Sequence, residues 1–377
     1  MSSPLNLAGS KSQMIANAKA VILSGMMSGY RGSAAGNMGG EWVQRLESEF
    51  SEWIGVKHAI ATSSATTALH TALLAVDLQN LTVRTTPMSF SASASCIRMA
   101  NGTPWFTDVD AETFNMDFKI IPPVLDMPIL GVHLMGHPLD IDAILRLREV
   151  HGLLVIEDAS QAIGATYKGR KVGTFGDCGI FSFNQSKPIT SGEGGMLVTN
   201  NDEIARKARL IRNHGETQDN ILGYNYRLTE LQAAVLLPQL AIIDEMNQYR
   251  RELASYLSER LGQIPGITPP VVREGYEHTF YTYAVKVDPK MYSRNSLQRR
   301  LNDEGVYFGN PDYGKPLYLL PGYADLGLKE GHCPVAEDLW KHRIMVTDRV
   351  KWPTTKNDLD RWVDVFRRVT KNDRQDA

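Results

Sequence analysis

Leu153-Leu154-Val155-Ile156-Glu157-Asp158-Ala159-Ser160-Gln161-Ala162 is the stretch on which the reading of the fold turns. Four apolar residues in a row followed by two acids describe a short strand buried on both faces, the kind found in parallel sheets. A carboxylate that closes such a strand sits at the carboxyl edge, where open α/β sheets bind ligands. Asp158 is therefore a candidate site residue. The competing reading is a helix N-cap, since an acid preceding Ala159-Ser160-Gln161-Ala162 could serve that role.

The pattern repeats upstream. Short apolar runs at residues 58–62, 81–85, 104–107 and 129–133 alternate with helical patterns at 65–76, 92–99 and 141–150. That alternation predicts an α/β fold with a mainly parallel sheet covered on both faces. Before it come an apolar periodic stretch from Met14 to Met27 and a glycine-rich segment, Ser28 to Gly40. A helix with Trp42, Leu46, Phe50 and Trp53 at helical spacing follows. The glycines are expected to form an ordered excursion rather than a linker.

Downstream, Gly173 to Asn200 reads as short extended pieces joined by small residues. Helices are expected at Glu203 to Asn213 and, as one long element, from Leu228 to about Leu261, ended by Pro265, Pro269 and Pro270. Thr279 to Val287, Ser296 to Gly305 and Leu359 to Val369 then read as strand, helix and helix. A boundary near residue 250 divides the chain into a large domain, 1–250, and a smaller C-terminal α/β domain, 251–377.

A chain of 377 residues, 43% of them hydrophobic, suits two domains. With 40 basic and 42 acidic residues, the formal charge of -2 gives no electrostatic reason to expect nucleic acid or an anionic membrane. A small-molecule partner is expected instead. Cys96, Cys178 and Cys333 are odd in number and far apart, fitting neither a disulfide framework nor a zinc site, so no metal is expected. No secretory leader or membrane-length apolar run is evident, which predicts a soluble, cytoplasmic protein.

Two further segments carry chemistry. In Phe181-Ser182-Phe183-Asn184-Gln185-Ser186-Lys187-Pro188-Ile189-Thr190-Ser191-Gly192-Glu193-Gly194-Gly195, a lysine stands among small residues and hydroxyls just past a buried strand. Pro188 steers Lys187 away from helix, and the glycines permit close approach or unusual torsions. Such a lysine amine can form a Schiff base with a carbonyl cofactor and then shuttle a proton. In Ala61-Thr62-Ser63-Ser64-Ala65-Thr66-Thr67-Ala68, a strand passes through hydroxyls into an apolar helix. Capping accounts for one or two of them, and an anion site at the helix start, with the Ala65 and Thr66 N–H groups, accounts for more.

Together these pieces resemble the fold-type I pyridoxal-phosphate enzymes that aminate keto sugars, the DegT-like sugar-nucleotide aminotransferases. Further landmarks in the same order are Leu46-Glu47, Pro87-Met88-Ser89-Phe90-Ser91-Ala92-Ser93, Arg212-Asn213-His214-Gly215, Gly223-Tyr224-Asn225-Tyr226-Arg227-Leu228-Thr229-Glu230 and Cys333-Pro334-Val335-Ala336-Glu337.

The resemblance implies an aspartate-aminotransferase-like fold and pyridoxal 5'-phosphate carried on Lys187. It implies that Asp158 faces the ring nitrogen, Phe90 stacks on the ring, Gln161 lies by the phenolic oxygen and Ser182 binds the phosphate. Asn225 and Arg227 are implied to reach the phosphate of a neighbouring subunit in a homodimer.

The donor would be L-glutamate or L-glutamine and the acceptor a keto sugar, most simply nucleotide-linked. Three departures bear on this: Ala65 where many relatives have glycine, a longer glycine-rich excursion, and Tyr318 where many place a histidine. The last two leave a keto-cyclitol acceptor open. A same-fold dehydratase, which would carry histidine at position 187, and a non-catalytic regulatory protein are the competing readings. His214 reads first as a structural residue at a helix end, with a contact to a substrate phosphate as the alternative.

Overall fold

A central sheet of seven strands organises the molecule. They are β1 (His58–Thr62), β2 (Thr82–Thr85), β3 (Thr103–Phe106), β4 (Ile129–Val132), β5 (Val155–Asp158), β6 (Cys178–Ser182) and β7 (Gly195–Thr199), in the spatial order β1-β7-β6-β5-β4-β2-β3. β7 runs antiparallel to both of its neighbours, and every other adjacent pair is parallel. The computed structural model describes residues 7–31, 35–121, 127–215, 221–310 and 315–373. Residues 32–34 of the glycine-rich segment and the first six residues lie outside these.

Strands β4, β5, β6 and β7 are buried along their whole length, the acids that close β5 included. Alternation by two then sorts their side chains. Ile156 and Ile180 join the apolar cluster on one face, with Leu69 and Leu73. Val155 and Phe181 join the cluster on the other, with Leu46, Phe50 and Leu236.

The covering helices are α1 (Leu7–Ser24), α2 (Glu41–Ile54), α3 (Ala65–Ala75), α4 (Ala92–Met99), α5 (Ile141–His151), α6 (Asp202–Arg212) and α7 (Glu230–Leu240). They are followed by α8 (Ile243–Leu261), α9 (Arg294–Asp303), α10 (Pro334–Asp338) and α11 (Lys356–Asp373). A second, antiparallel sheet of β8 (Ile267–Thr268), β9 (Tyr283–Val287) and β10 (Ile344–Thr347) packs with Leu257, Leu297 and Phe366 in a third apolar cluster. Among the described residues, no helix is long and apolar enough to cross a membrane.

The expected long helix from Leu228 to Leu261 is two helices, broken at Ala241 and Ile242. Pro238 lies inside α7, where it cannot donate to the carbonyl four residues back. Asn17 Nδ2 of α1 donates to that Ala234 carbonyl at 3.0 Å, and Ser10 Oγ donates to the Pro238 carbonyl at 3.1 Å. The expected strand from Thr279 begins only at Tyr283. Thr279 N–H leaves the ladder to donate to the Gly136 carbonyl at 3.0 Å, tying this segment to the loop after β4.

The described part of the glycine-rich excursion is ordered by buried partners. Arg212, fully buried, pairs with Glu47 and donates to the carbonyls of Ala61 at 2.9 Å and Asn37 at 2.6 Å. Glu230 accepts from the N–H groups of Gly40 and Trp42, at 3.1 and 2.8 Å.

Candidate active site

Asp158 and Glu157 are adjacent, so the pleat sends them to opposite faces. Glu157 goes into the core. Its oxygens accept from His133 Nε2 at 2.9 Å and from the N–H groups of Gly173, Phe175 and Gly176. His133 Nδ1 accepts from Leu139 N–H at 2.9 Å, so the ring's proton is on Nε2 and points at the carboxylate. Burial pushes the Glu157 carboxyl up, but His133 and the N–H donors outweigh it and hold the group below its ordinary range.

Asp158 goes to a cavity of about 540 Å³ at the carboxyl edge of the sheet. Its Oδ2 accepts from Ser93 Oγ at 2.8 Å and its Oδ1 from the Ser160 N–H at 3.1 Å. Residues 159–165 make turns and no helix, so the N-cap alternative has nothing to cap.

The helix start on the same cavity is α3. Ser64 caps it: Ser64 Oγ accepts from Thr67 N–H at 3.1 Å, and Thr67 Oγ1 accepts from Ser64 N–H at 3.0 Å. Ala65 and Thr66, whose N–H groups have no acceptor one turn back, line the cavity. Gly195 opens β7 directly against this turn. A Cβ there would lie 2.4 Å from the Ser64 carbonyl carbon and 2.6 Å from Ala65 N, a distance only glycine allows.

Lys187 stands on the loop joining β6 to β7. Phe183 N–H donates to the Gly194 carbonyl at 2.9 Å and Gln185 N–H to the Gly192 carbonyl at 2.8 Å, closing the loop on itself. Gly192 takes the left-handed conformation, φ 83°. The Lys187 side chain lines the cavity, with Nζ 4.3 Å from the centroid of the Tyr281 ring.

Phe90, Gln161 and Ser182 complete the expected set on this cavity. Phe90 is 57% exposed, unusual for so large an aromatic side chain and the opposite of a core position. Gln161 Oε1 accepts from Met135 N–H at 2.8 Å, which leaves its amide nitrogen as the donor.

Asn225 and Arg227 do not line the cavity. They run beside the end of β1, where Ser63 N–H donates to the Tyr226 carbonyl at 2.8 Å. Arg227 Nε donates to Asn225 Oδ1 at 2.8 Å and Nη1 to Asn213 Oδ1 at 3.4 Å. Tyr318 is also elsewhere: it is buried, its hydroxyl bonded to Glu337 and accepting from Cys333 N–H at 3.1 Å. The departure at Tyr318 therefore gives no argument for an unusual acceptor. His214 is exposed with φ 66° and is not a cavity residue. The three cysteines are buried and unpaired, and burial pushes their thiols up.

Sequence reasoning missed Ser93, Ser160 and Tyr281. Ser89 and Ser93, four apart in a landmark segment, carried a signal in their spacing. Tyr281 carried none.

Residues 28–363 match the model of the DegT/DnrJ/EryC1/StrS aminotransferase family. The chain is 35% identical over 337 residues to GDP-perosamine synthase of Caulobacter vibrioides, covering 85% of this chain and 88% of that protein. Among solved structures, an aminotransferase from Psychrobacter cryohalolentis superposes with a TM-score of 0.86 at 33% identity, covering 95% and 96% of the two chains. DesV of S. venezuelae superposes with a TM-score of 0.84 at 29% identity, covering 96% and 95%. A family model matched over most of the chain, with a relative 35% identical across 85% of it, makes this protein a member of the DegT/DnrJ/EryC1/StrS aminotransferase family, and an aminotransferase.

Proposed function

We propose that the chain is a pyridoxal-phosphate-dependent sugar aminotransferase that moves an amino group from L-glutamate or L-glutamine to a keto sugar, carried on a nucleotide. One observation carries the reading: the Lys187 amine, the Asp158 carboxylate and the start of α3 open on the same cavity. The relative named GDP-perosamine synthase favours a nucleotide-linked acceptor. The choice of donor follows the family resemblance.

The residues present fit the cofactor. The cavity is large enough for a phosphorylated ring with space beside it. Ser160 Oγ is buried on it with no hydrogen-bond partner among the described residues, a polar atom for which a ligand would provide one. When bound, pyridoxal phosphate supplies a carbonyl for amine exchange and a ring that accepts electrons.

In this reading the Ala65 and Thr66 N–H groups and the Ser182 hydroxyl hold the phosphate, and Phe90 covers a face of the ring. Asp158 keeps a proton on the ring nitrogen by offering a carboxylate rather than a neutral acceptor. Gln161, held by Met135 N–H, donates to the phenolic oxygen. Lys187 Nζ would supply the amine that holds the cofactor and, when free, a base that takes up the proton at the donor's α-carbon and gives it up again within the site. The acceptor half-reaction returns a proton by the same amine.

We further propose a cytoplasmic homodimer, in which Asn225 and Arg227 serve the partner's phosphate. The domains divide at residue 250, within α8. The first fully buried residue of the third cluster is Leu253, which supports that boundary.

Borohydride reduction of the cofactor-loaded protein, followed by peptide mass mapping, tests the assignment. The cofactor mass is expected on the peptide holding Lys187. A label on any other lysine would overturn it.

A further inference from the structure

Ser89, Ser93 and Asp158 form a buried chain of hydrogen bonds. Ser89 Oγ lies 2.8 Å from Ser93 Oγ, which lies 2.8 Å from Asp158 Oδ2. The three residues are 2%, 1% and 4% exposed. Ser93 Oγ is the donor in the bond to Asp158 Oδ2, so Ser93 commits its single proton there. Its bond to Ser89 must then be one in which Ser89 donates. The chain therefore runs one way, Ser89 to Ser93 to Asp158, each bond polarising the next.

Ser160 N–H holds the other oxygen, Oδ1, at 3.1 Å. The two donors reach different oxygens, so together they fix the plane of the carboxylate and its rotation. A buried carboxylate with a single fixed donor could still turn about its own bond.

We infer that Ser93, backed by Ser89, is a positioning residue that sets the angle at which Asp158 meets the ring nitrogen of the cofactor. This rests on the reading of Asp158 given above. Ser93 acts through Asp158 and makes no covalent step of its own. Its place in the fold suits that role. Ser93 is the second residue of α4, so its backbone is fixed while its hydroxyl faces the end of β5.

The test uses the holoenzyme reconstituted with pyridoxal phosphate labelled with nitrogen-15 in the ring. The nitrogen resonance reports whether the ring nitrogen is protonated, independently of turnover. Ser93→Ala is expected to move that resonance toward the unprotonated position. It should lower kcat by about ten- to hundredfold, the range for losing a hydrogen bond to a charged group, with a much smaller change in KM for the donor. Ser93→Thr restores the hydroxyl and is expected to recover most of both. Ser89→Ala is expected to move both readouts in the same direction by less.

An unmoved resonance in Ser93→Ala, with the protein folded and loaded, would overturn the inference. So would a Ser93→Thr variant as impaired as Ser93→Ala, since packing rather than the hydroxyl would then be at stake. Asp158→Asn, measured alongside, separates the two claims. If Asp158→Asn shifts the resonance and Ser93→Ala does not, only the role of Ser93 fails. If Asp158→Asn leaves it unmoved, the reading of Asp158 fails, and the inference with it.

Discussion

Lys187 Nζ lies 4.3 Å from the centroid of the Tyr281 ring, and the Tyr281 hydroxyl meets Ser186 Oγ at 3.0 Å. The ring face attracts the ammonium form of the lysine, and the hydroxyl fixes the ring. Tyr281→Phe keeps the face and is expected to retain most of kcat. Tyr281→Leu removes it and should lower kcat by about two- to thirtyfold, the span of cation–π energies converted to rates. Steady-state transamination by both variants checks this. Equal activities would show that the ring is only a wall.

Gly195→Ala tests the contact between β7 and α3. Its Cβ would meet backbone atoms of Ser64 and Ala65, which cannot swing aside as a side chain would. A stability cost of about 1–3 kcal/mol is expected from the overpacking, together with weaker cofactor binding as the helix start is displaced. Thermal melts and cofactor titrations of the apoprotein read the two effects. Wild-type values in both would show that the strand can retreat.

Subunit mixing tests the proposed roles of Asn225 and Arg227, which stand outside their own chain's cavity. Lys187→Ala and the double variant Asn225→Ala with Arg227→Ala are each expected to be inactive. If the segment serves the partner, a heterodimer of the two places both lesions in one site and none in the other. Activity should return to about half of wild type per heterodimer, by this counting. Demonstrated subunit exchange with no recovery would remove the crossing role.

Acid stability should reflect His137. Burial holds its folded-state pKa at about 4 against the ordinary 6.5, helped by Arg273 and opposed by the Pro138 carbonyl and Asp110. Unfolded, the ring takes a proton below about pH 6.5; folded, it resists until about pH 4. The unfolded state binds more protons between those values, so stability falls as the pH drops through that window, by about 3 kcal/mol, and then levels off. His278, in ring contact with His137 and also lowered by burial, acts in the same direction. Glu157 adds a separate loss further down, as the pH falls through its lowered value. Urea melts from pH 7.5 to 4.5 should show a shallower slope for His137→Asn; identical slopes would exclude His137 as a source.

The sheet was legible because fully buried strands announce themselves as apolar runs, as at Val155 and Ile156, and the amphipathic helices between them keep their own period. The break at Ala241 was not, because both flanking segments read as helix and Pro238, the local sign of a break, lies inside α7 with its freed carbonyl met by another element. That element, α1, is remote in sequence. Much of the site was legible for a different reason. Asp158, Lys187 and the α3 start each lie at the end of a strand, where sequence pattern and chemistry coincide. Ser160 follows Asp158 but looks like any turn serine until its hydroxyl is seen to be buried without a partner. Tyr281 meets Lys187 only through space, from a segment drawn off β9 by Thr279, and no local pattern encodes that.

The bond from Asn17 to the Ala234 carbonyl spans 217 positions of the chain. On a ribosome this becomes an interval of time. At about 5–20 residues per second, some ten to forty seconds separate the synthesis of the donor from that of its acceptor. Throughout that interval α1 has left its translation site without the surface it will cover. The helix α1 is thus among the last of the described elements to find its seat, and the proline that needs it is met late in the birth of the protein.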